Sequence, residues 1–238
     1  MEKDLLKSYA RTHHWQEKSN WPNGEINEDS VGTYDDIFQN KLLQYTSHYP
    51  LTLEAHFTEM QKALYILTSD DGLFRIYCWD NMQGGTMRFF DAVFQFKSGD
   101  KVKSCFLPHP DTIDVPAPET LNLYNKLYTF KTGNSTYYLA VYTNIESSLD
   151  NKAGIKVFTI QNGVLNDTVR IIKTKTGLHN ILSYDYENLP SGSDHSIYFN
   201  KFTNTIYIPL VDEYSNVTNR YIKYRFTGTY FEKVEAGK

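Results

Sequence analysis

The aspartates near predicted turns are the residues of this chain with the clearest capacity for chemistry. Five of them lie between residues 70 and 100: Asp70, Asp71, Asp80, Asp91 and Asp100. Two carboxyl groups held at a suitable separation perform the acid and base steps of glycoside hydrolysis. Aspartate is also a common turn residue, because its side chain accepts hydrogen bonds from the nearby backbone. The pattern leaves a glycosidase-like hydrolase open and identifies no catalytic pair.

Aromatic side chains near polar loops suggest a binding surface instead. Aromatic residues make up 15% of the chain, with 19 Tyr, far more than a core alone requires. Exposed Trp and Tyr rings stack on sugars or anchor a protein partner. The candidate binding residues are Trp79, Asp80, Asp70, Asp71, Tyr142 and Tyr214. The leading hypothesis is a non-enzymatic binding or scaffold protein that recognises a glycan or a protein, and the hydrolase is the alternative.

Other reactive residue types form no recognisable motif. His13 and His14 are adjacent, and neighbouring side chains on a helix or strand point in different directions, so they are poor joint ligands. The sequence contains neither HExxH nor GxSxG. Cys78 and Cys105 belong to no CxxC pair. We therefore expect no metal site and no cofactor.

The elements that must position these residues are short strands. Residues 64–107 contain four runs rich in β-branched and aromatic residues, each closed by turn formers, which predicts a four-stranded antiparallel meander. Similar units recur at residues 127–174, where the fourth run is TVRIIKT, and at 197–234. A repeated unit of this kind is typical of propeller blades, although propellers usually have 4 to 8. The predicted fold is all-β and propeller-like, with a β-sandwich as the alternative.

The third strand of each unit predicts which side chains are buried. Its central tripeptides are Phe94-Gln95-Phe96, Phe158-Thr159-Ile160 and Tyr224-Arg225-Phe226. Because residues two apart share a face of a strand, the outer two should enter a core and the middle one should point the other way, toward solvent if that face is uncovered. Pro209 places its own strand at a sheet edge or a bulge.

The N-terminal part has a different character. Residues 1–50 are predicted to be irregular or helical, and residues 51–238 to form a single β domain. Thr33 with Asp36 resembles a helix cap, which predicts a helix from about Tyr34 to Thr46 with Ile37, Phe38, Leu42 and Tyr45 near one face. Residues 51–57 suit either a strand or a helical continuation. The proline-rich residues 108–118 are predicted to be an extended linker.

Composition narrows the partners and the compartment. The net charge of −4 argues against nucleic acid, whose binding requires an excess of Lys and Arg. No apolar run is long enough for a transmembrane helix. Cys78 and Cys105 should lie two strands apart in one meander, about 9.6 Å at ordinary strand spacing, so both should be reduced thiols. The Tyr- and Asn-rich, Cys-poor composition favours an exported bacterial protein, periplasmic or at the cell surface, over a cytoplasmic one.

Overall fold

The structure, a computed structural model, divides into two compact units, Met1–Leu123 and Tyr124–Lys238. It describes residues 1–17, 28–107, 121–187 and 196–234. The division falls inside the region predicted as one β domain, residues 51–238, and not at residue 50. The linker predicted at residues 108–118 lies outside the described residues.

In its described residues, the first unit contains two α-helices and one antiparallel sheet. The helices are α1 (Glu2–Gln16) and α2 (Glu28–His48), and short 3-10 helices lie at Pro50–Leu53 and Met60–Lys62. The sheet has the spatial order β1 (Tyr65–Thr68), β2 (Phe74–Asp80), β3 (Phe90–Ser98) and β4 (Lys101–Cys105). Each strand pairs antiparallel with the next, so the meander predicted for residues 64–107 is confirmed. No described helix has the length and apolarity needed to cross a membrane.

Helix α2 buries one side chain per turn along its length. The buried stripe consists of Val31, Asp35, Phe38, Leu42 and Thr46, which is the spacing of one helix face. The helix begins before the predicted start at Tyr34, so Thr33 lies inside it and does not cap it. Ile37, predicted on the buried face, is 39% exposed. Because Val31 is 1% exposed, packing of the additional turn outweighs the local capping signal.

The first sheet carries the helices on one face. Tyr77, Trp79 and Val93 share a core with residues of α1 and α2, including Tyr9 and Phe38. Every residue of β2 from 74 to 79 is buried, so this strand does not alternate between core and solvent. The meander pattern alone did not predict the helical layer that packs on this sheet.

Gln95 is the clearest consequence of that layer. Its side chain is 0% exposed, and its Nε2 donates to the Thr46 carbonyl oxygen and to the Thr52 hydroxyl, at 2.7 Å each. Its Oε1 accepts from the Tyr77 hydroxyl at 3.0 Å. The condition that this face of the strand is solvated is therefore not met at Gln95, because α2 and the Pro50–Leu53 segment cover it. A polar side chain with all these partners is stable inside a protein.

The described part of the second unit contains two sheets. The first has the order β11 (Ile181–Tyr186), β7 (Asn151–Gln161), β6 (Ser135–Ile145) and β5 (Leu123–Thr132), with β8 (Val164–Asn166) also paired to β7. The second has the order β10 (Gly177–His179), β9 (Ile172–Thr174), β15 (Phe231–Lys233), β14 (Val217–Phe226), β13 (Thr205–Val211) and β12 (Tyr198–Asn200). The pairing of β15 with β9 is parallel.

A common core joins these two sheets. Ile155 and Val157 of one sheet cluster with Ile206, Ile208 and Phe231 of the other. The two sheets therefore face each other across shared apolar side chains, as in a sandwich. The described residues contain several antiparallel sheets and no closed barrel or propeller, so the propeller-like prediction is not confirmed.

The later meanders match the prediction in strand order and differ in detail. Strands β5 to β8, and strands β12 to β15, each pair in succession. In the repeat predicted at residues 127–174, the fourth strand is Val164–Asn166 and not the predicted run TVRIIKT. Residues Ile172–Thr174 of that run join the other sheet as β9. Pro209 lies at a register shift between β13 and β14, which confirms the predicted bulge. The structural equivalence of the three predicted repeats stays a prediction.

The alternation predicted for the third strand of each repeat holds in the repeat at residues 197–234 but not in the repeat at residues 127–174. Arg225 is exposed, as expected, although Tyr224 and Phe226 on either side are only half-buried. Thr159 is 3% exposed, and its hydroxyl donates to the Thr136 carbonyl oxygen at 2.8 Å. As with Gln95, the supposed solvent face of this strand is covered.

Candidate functional site

A cavity of about 430 Å³ lies in the first unit beside the end of β2. Its wall combines aromatic and polar side chains from helix and sheet. The lining residues include Tyr9, His13, Lys62, Tyr65, Trp79, Asp80, Met82 and Phe90. Pockets that bind small ligands have this size and this mixture of apolar walls with a few polar groups. We refer to it below as the first-unit pocket.

The secondary structure brings the pocket wall together. Tyr9 and His13 are four residues apart on α1 and therefore share a face, with ring centroids 4.7 Å apart. In the sheet, Asp80 pairs with Phe90 across β2 and β3. Tyr65 on β1 is 46% exposed, whereas Phe90 is 3% exposed. The pocket therefore has a buried aromatic floor and an accessible aromatic side.

Asp80 is the carboxylate of the pocket wall. Its Oδ1 accepts from the Met82 backbone N–H at 2.8 Å, and its Oδ2 lies 3.1 Å from Arg88 Nε. The Tyr9 hydroxyl donates to the Asp80 carbonyl oxygen at 3.4 Å. The Asp80 side chain is 16% exposed, so it is held in place and still reached by solvent.

A pair of carboxyl groups, on Asp35 and Asp91, lies next to this wall. Asp35 of α2 accepts a hydrogen bond from Trp79 Nε1 at 2.9 Å. Gln39 Nε2 donates to Asp35 Oδ2 at 2.7 Å and to Asp91 Oδ2 at 3.0 Å, and Asn81 donates to the same Asp91 oxygen at 2.9 Å. Asp35 and Asn81 are buried, at 0% and 6% exposed, whereas Gln39 and Asp91 are half-buried. We call Asp35, Asp91, Gln39 and Asn81 the buried acid network.

Burial dominates the ionisation of these groups. Desolvation, with the charge of Asp91 as a further cause, raises the pKa of Asp35 to about 8. Asp35 therefore holds a proton at neutral pH, which suits its side-chain hydrogen bond to Asp91. Burial also raises the pKa of the Tyr9 phenol, with the charges of Asp80 and Asp35 adding to the effect. Burial lowers the pKa of His13, so the imidazole facing the pocket is neutral at pH 7.

Two of the predicted binding residues meet at this site. Trp79 and Asp80 both line the pocket, although Trp79 is 1% exposed and contributes wall rather than an open ring. Asp70 and Asp71 lie in the β1–β2 turn, at the opposite end of β2 from Asp80. Asp71 Oδ1 accepts from the Ser69 hydroxyl at 2.7 Å and from the Leu73 N–H at 3.2 Å, so it stabilises that turn.

The two tyrosines predicted for binding lie in the second unit. Tyr142 is 3% exposed and packs edge-on to Tyr124, with centroids 6.0 Å apart. Its ring occupies the space that a Cβ on Gly154 would need, so Tyr142 belongs to the sheet packing. Tyr214 is 72% exposed on the β13–β14 turn. Only Tyr214 of these two offers its ring at the surface.

Several residues of the site had weak signals in the sequence. Tyr9 and His13 have helical spacing, but no motif distinguishes them from ordinary surface residues. Asp35 had a clearer signal, because it falls within the apolar stripe of α2, where a carboxylate requires partners. Recognising that stripe required the correct helix start, which the sequence did not reveal.

The search for metal ligands and for related proteins adds no assignment. The described residues contain no group of three or more His, Cys, Asp or Glu side chains placed to hold a metal ion. Comparison of the chain with protein-family models, curated proteins and solved structures finds no match.

Proposed function

We propose that the protein is a non-enzymatic glycan-binding protein whose first-unit pocket accepts a sugar ring. The observation that carries this proposal is the placement of the accessible Tyr65 ring, the Asp80 carboxylate and the neutral His13 around one cavity of about 430 Å³. An aromatic face packs against the C–H groups of a sugar, while a carboxylate and an imidazole exchange hydrogen bonds with its hydroxyls. The pocket supplies both kinds of contact.

The same geometry weighs against the hydrolase alternative. Acid and base catalysis of glycoside cleavage uses two carboxyl groups about 5 to 9.5 Å apart on either side of the bond. Asp80 is the carboxylate in the pocket wall, and it is engaged by Arg88. Asp35 is fully buried behind Trp79, so it has no path to a substrate. The arrangement supports binding better than catalysis.

A protein partner is a second candidate, supported at another place. Tyr214 is 72% exposed and Leu149 is 61% exposed, each on a hairpin turn of the second unit. Both turns adjoin the end of β11, because Tyr186 pairs with Asn151 and the Glu187 N–H donates to the Ser215 carbonyl oxygen at 2.9 Å. Exposed aromatic and aliphatic side chains on neighbouring turns are a plausible anchor for a protein surface.

The decisive experiment compares two exposed tyrosines against a panel of oligosaccharides. Binding of the purified chain to the panel is measured by isothermal titration calorimetry. Tyr65→Ala should raise the dissociation constant of the tightest-binding oligosaccharide about tenfold or more, as expected for losing an aromatic contact of about 1.4 kcal/mol. Tyr214→Ala is the matched control and should bind like the wild type. Asp80→Asn should also weaken binding, because a neutral amide is a poorer hydrogen-bond acceptor than a carboxylate.

The outcomes separate the candidates. Loss of binding in Tyr214→Ala but not in Tyr65→Ala would move the site to the hairpin turns. Release of reducing sugar from a bound oligosaccharide, abolished by Asp80→Asn, would establish the hydrolase instead. Absence of saturable binding to every sugar tested would contradict the proposal.

A further inference from the structure

We propose that a second cavity, at the ends of β9 and β15, binds an oxyanion group of a ligand, such as sulfate, phosphate or carboxylate. The cavity has a volume of about 550 Å³ and lies within the second unit. Its lining residues are Lys173, Lys175, Lys233, Thr174, Thr176, Tyr224 and one acidic residue, Glu232. This site is independent of the first-unit pocket and of its proposed ligand.

The strand pairing concentrates the lysines. β15 runs parallel to β9, with Phe231 opposite Ile172 and Glu232 opposite Lys173. Parallel strands end on the same side, so Lys233 at the end of β15 comes close to the turn that follows β9. That turn contains Lys175 and Thr176 and connects directly to β10. Lysines distant in sequence therefore lie close together at one end of these strands.

Only part of this positive charge is neutralised. Lys173 Nζ lies 2.7 Å from Glu232 Oε1 and donates to the Tyr230 hydroxyl at 3.1 Å. Within the described ranges, Lys175 and Lys233 have no carboxylate at ion-pair distance, and both are exposed. The cavity is thus locally cationic in a chain whose net charge is −4. An anion is the ligand that gains most there.

Hydroxyl groups complete a donor set around these ammonium groups. The Thr174 and Thr176 hydroxyls lie 2.9 Å apart, and Thr176 Oγ1 is 2.9 Å from His179 Nε2. Burial raises the pKa of the Tyr224 phenol, which keeps its proton available for donation. Ammonium and hydroxyl donors together match the acceptor-only surface of sulfate, phosphate or carboxylate.

The test titrates the full chain with sodium sulfate, sodium phosphate and sodium acetate at constant ionic strength. Backbone amide shifts of Lys175 and Thr176 are followed by NMR. We expect saturable shifts with at least one of the ions. A stronger response to sulfate and phosphate would indicate a tetrahedral group, and a stronger response to acetate would indicate a carboxylate.

Two variants test whether the cavity lysines are responsible. Lys175→Ala combined with Lys233→Ala should raise the dissociation constant about tenfold or more, because two charge-assisted contacts are lost. Lys223→Ala is the matched control: Lys223 is exposed on β14, outside the cavity lining, with its Nζ 5.5 Å from the Tyr207 ring centroid. Linear shifts that never saturate with all three ions would overturn the proposal. Equal weakening in the control would do the same.

Discussion

At the scale of single residues, Trp79 links the fold to the first-unit pocket. Its indole N–H donates to Asp35, its ring meets Phe38 edge-on with centroids 5.0 Å apart, and the same ring forms part of the pocket wall. Asn81, two residues further on, contacts Asp91 of the same buried acid network. Trp79 therefore connects the pocket wall to the buried acid network.

The Asp35 carboxyl should give the protein a distinctive pH dependence. Its pKa is about 8 in the folded state against an ordinary value of 3.8, so between those values the folded chain holds a proton that the unfolded chain has lost. Stability therefore falls as pH rises through this window, on the order of 1 kcal/mol per pH unit. Asp35→Asn removes this contribution while keeping an acceptor for Trp79.

Urea unfolding at pH 5 and at pH 8 measures this effect. The free energy of unfolding of Asp35→Asn minus that of the wild type should be larger at pH 8 than at pH 5, because the variant lacks the loss of stability that the wild type shows as pH rises. Asp36→Asn is the control, because Asp36 is the exposed neighbour on the same helix and should track the wild type. Parallel pH profiles for wild type and Asp35→Asn would show that Asp35 is ionised in the folded state.

At the scale of elements, α2 has two roles. Its apolar side chains, Val31, Phe38 and Leu42, hold the helix on the sheet. Asp35 and Gln39, on the same side, reach Trp79 and Asp91. One helix thus provides both the packing of the first unit and the support for its pocket.

Substitution of two adjacent residues tests the orientation of α2. Phe38 is 0% exposed, so Phe38→Ala should lower the free energy of unfolding by about 3 to 5 kcal/mol. Ile37 is 39% exposed, so Ile37→Ala should cost about 1 kcal/mol or less. Chemical denaturation of both variants measures the difference. Similar losses would support the sequence-based helix face, which contains both residues.

At the scale of the whole molecule, the order of strands controls the state of the thiols. Cys78 lies on β2 and Cys105 on β4, with β3 between them, and neither forms a disulfide. The predicted strand order that separates the two cysteines is confirmed, and their reduced state stays a prediction. The Cys78 thiol donates to the Asn122 carbonyl oxygen at 3.4 Å.

Thiol titration examines this arrangement across the whole molecule. Protein purified without reductant and unfolded in guanidinium should release two reactive thiols per chain, since the sheet separates the sulfur atoms by two strand spacings. Cys105→Ser should release one. A wild-type chain without reactive thiols would contradict the strand order of the first sheet.

The sequence by itself determined the local elements with strong periodic signals. The meander at residues 64–107, the bulge at Pro209 and the separation of the two cysteines on β2 and β4 follow from β-branched runs, turn formers and the missing proline N–H. These features depend on residues close in sequence, so an ordered list of residue types suffices to predict them. The same local information identified Trp79 and Asp80 as candidate binding residues.

Only the tertiary structure decided what covers each face of a sheet. Gln95 and Thr159 alternate with apolar residues as surface positions do, yet both are buried and hydrogen-bonded. Asp35 approaches Asp91 from a helix 56 positions earlier in the chain. Such contacts depend on the packing of whole layers, which local propensity does not encode. The first-unit pocket and the lysine-rich cavity both arise from this long-range packing, so neither appears in the sequence as a motif.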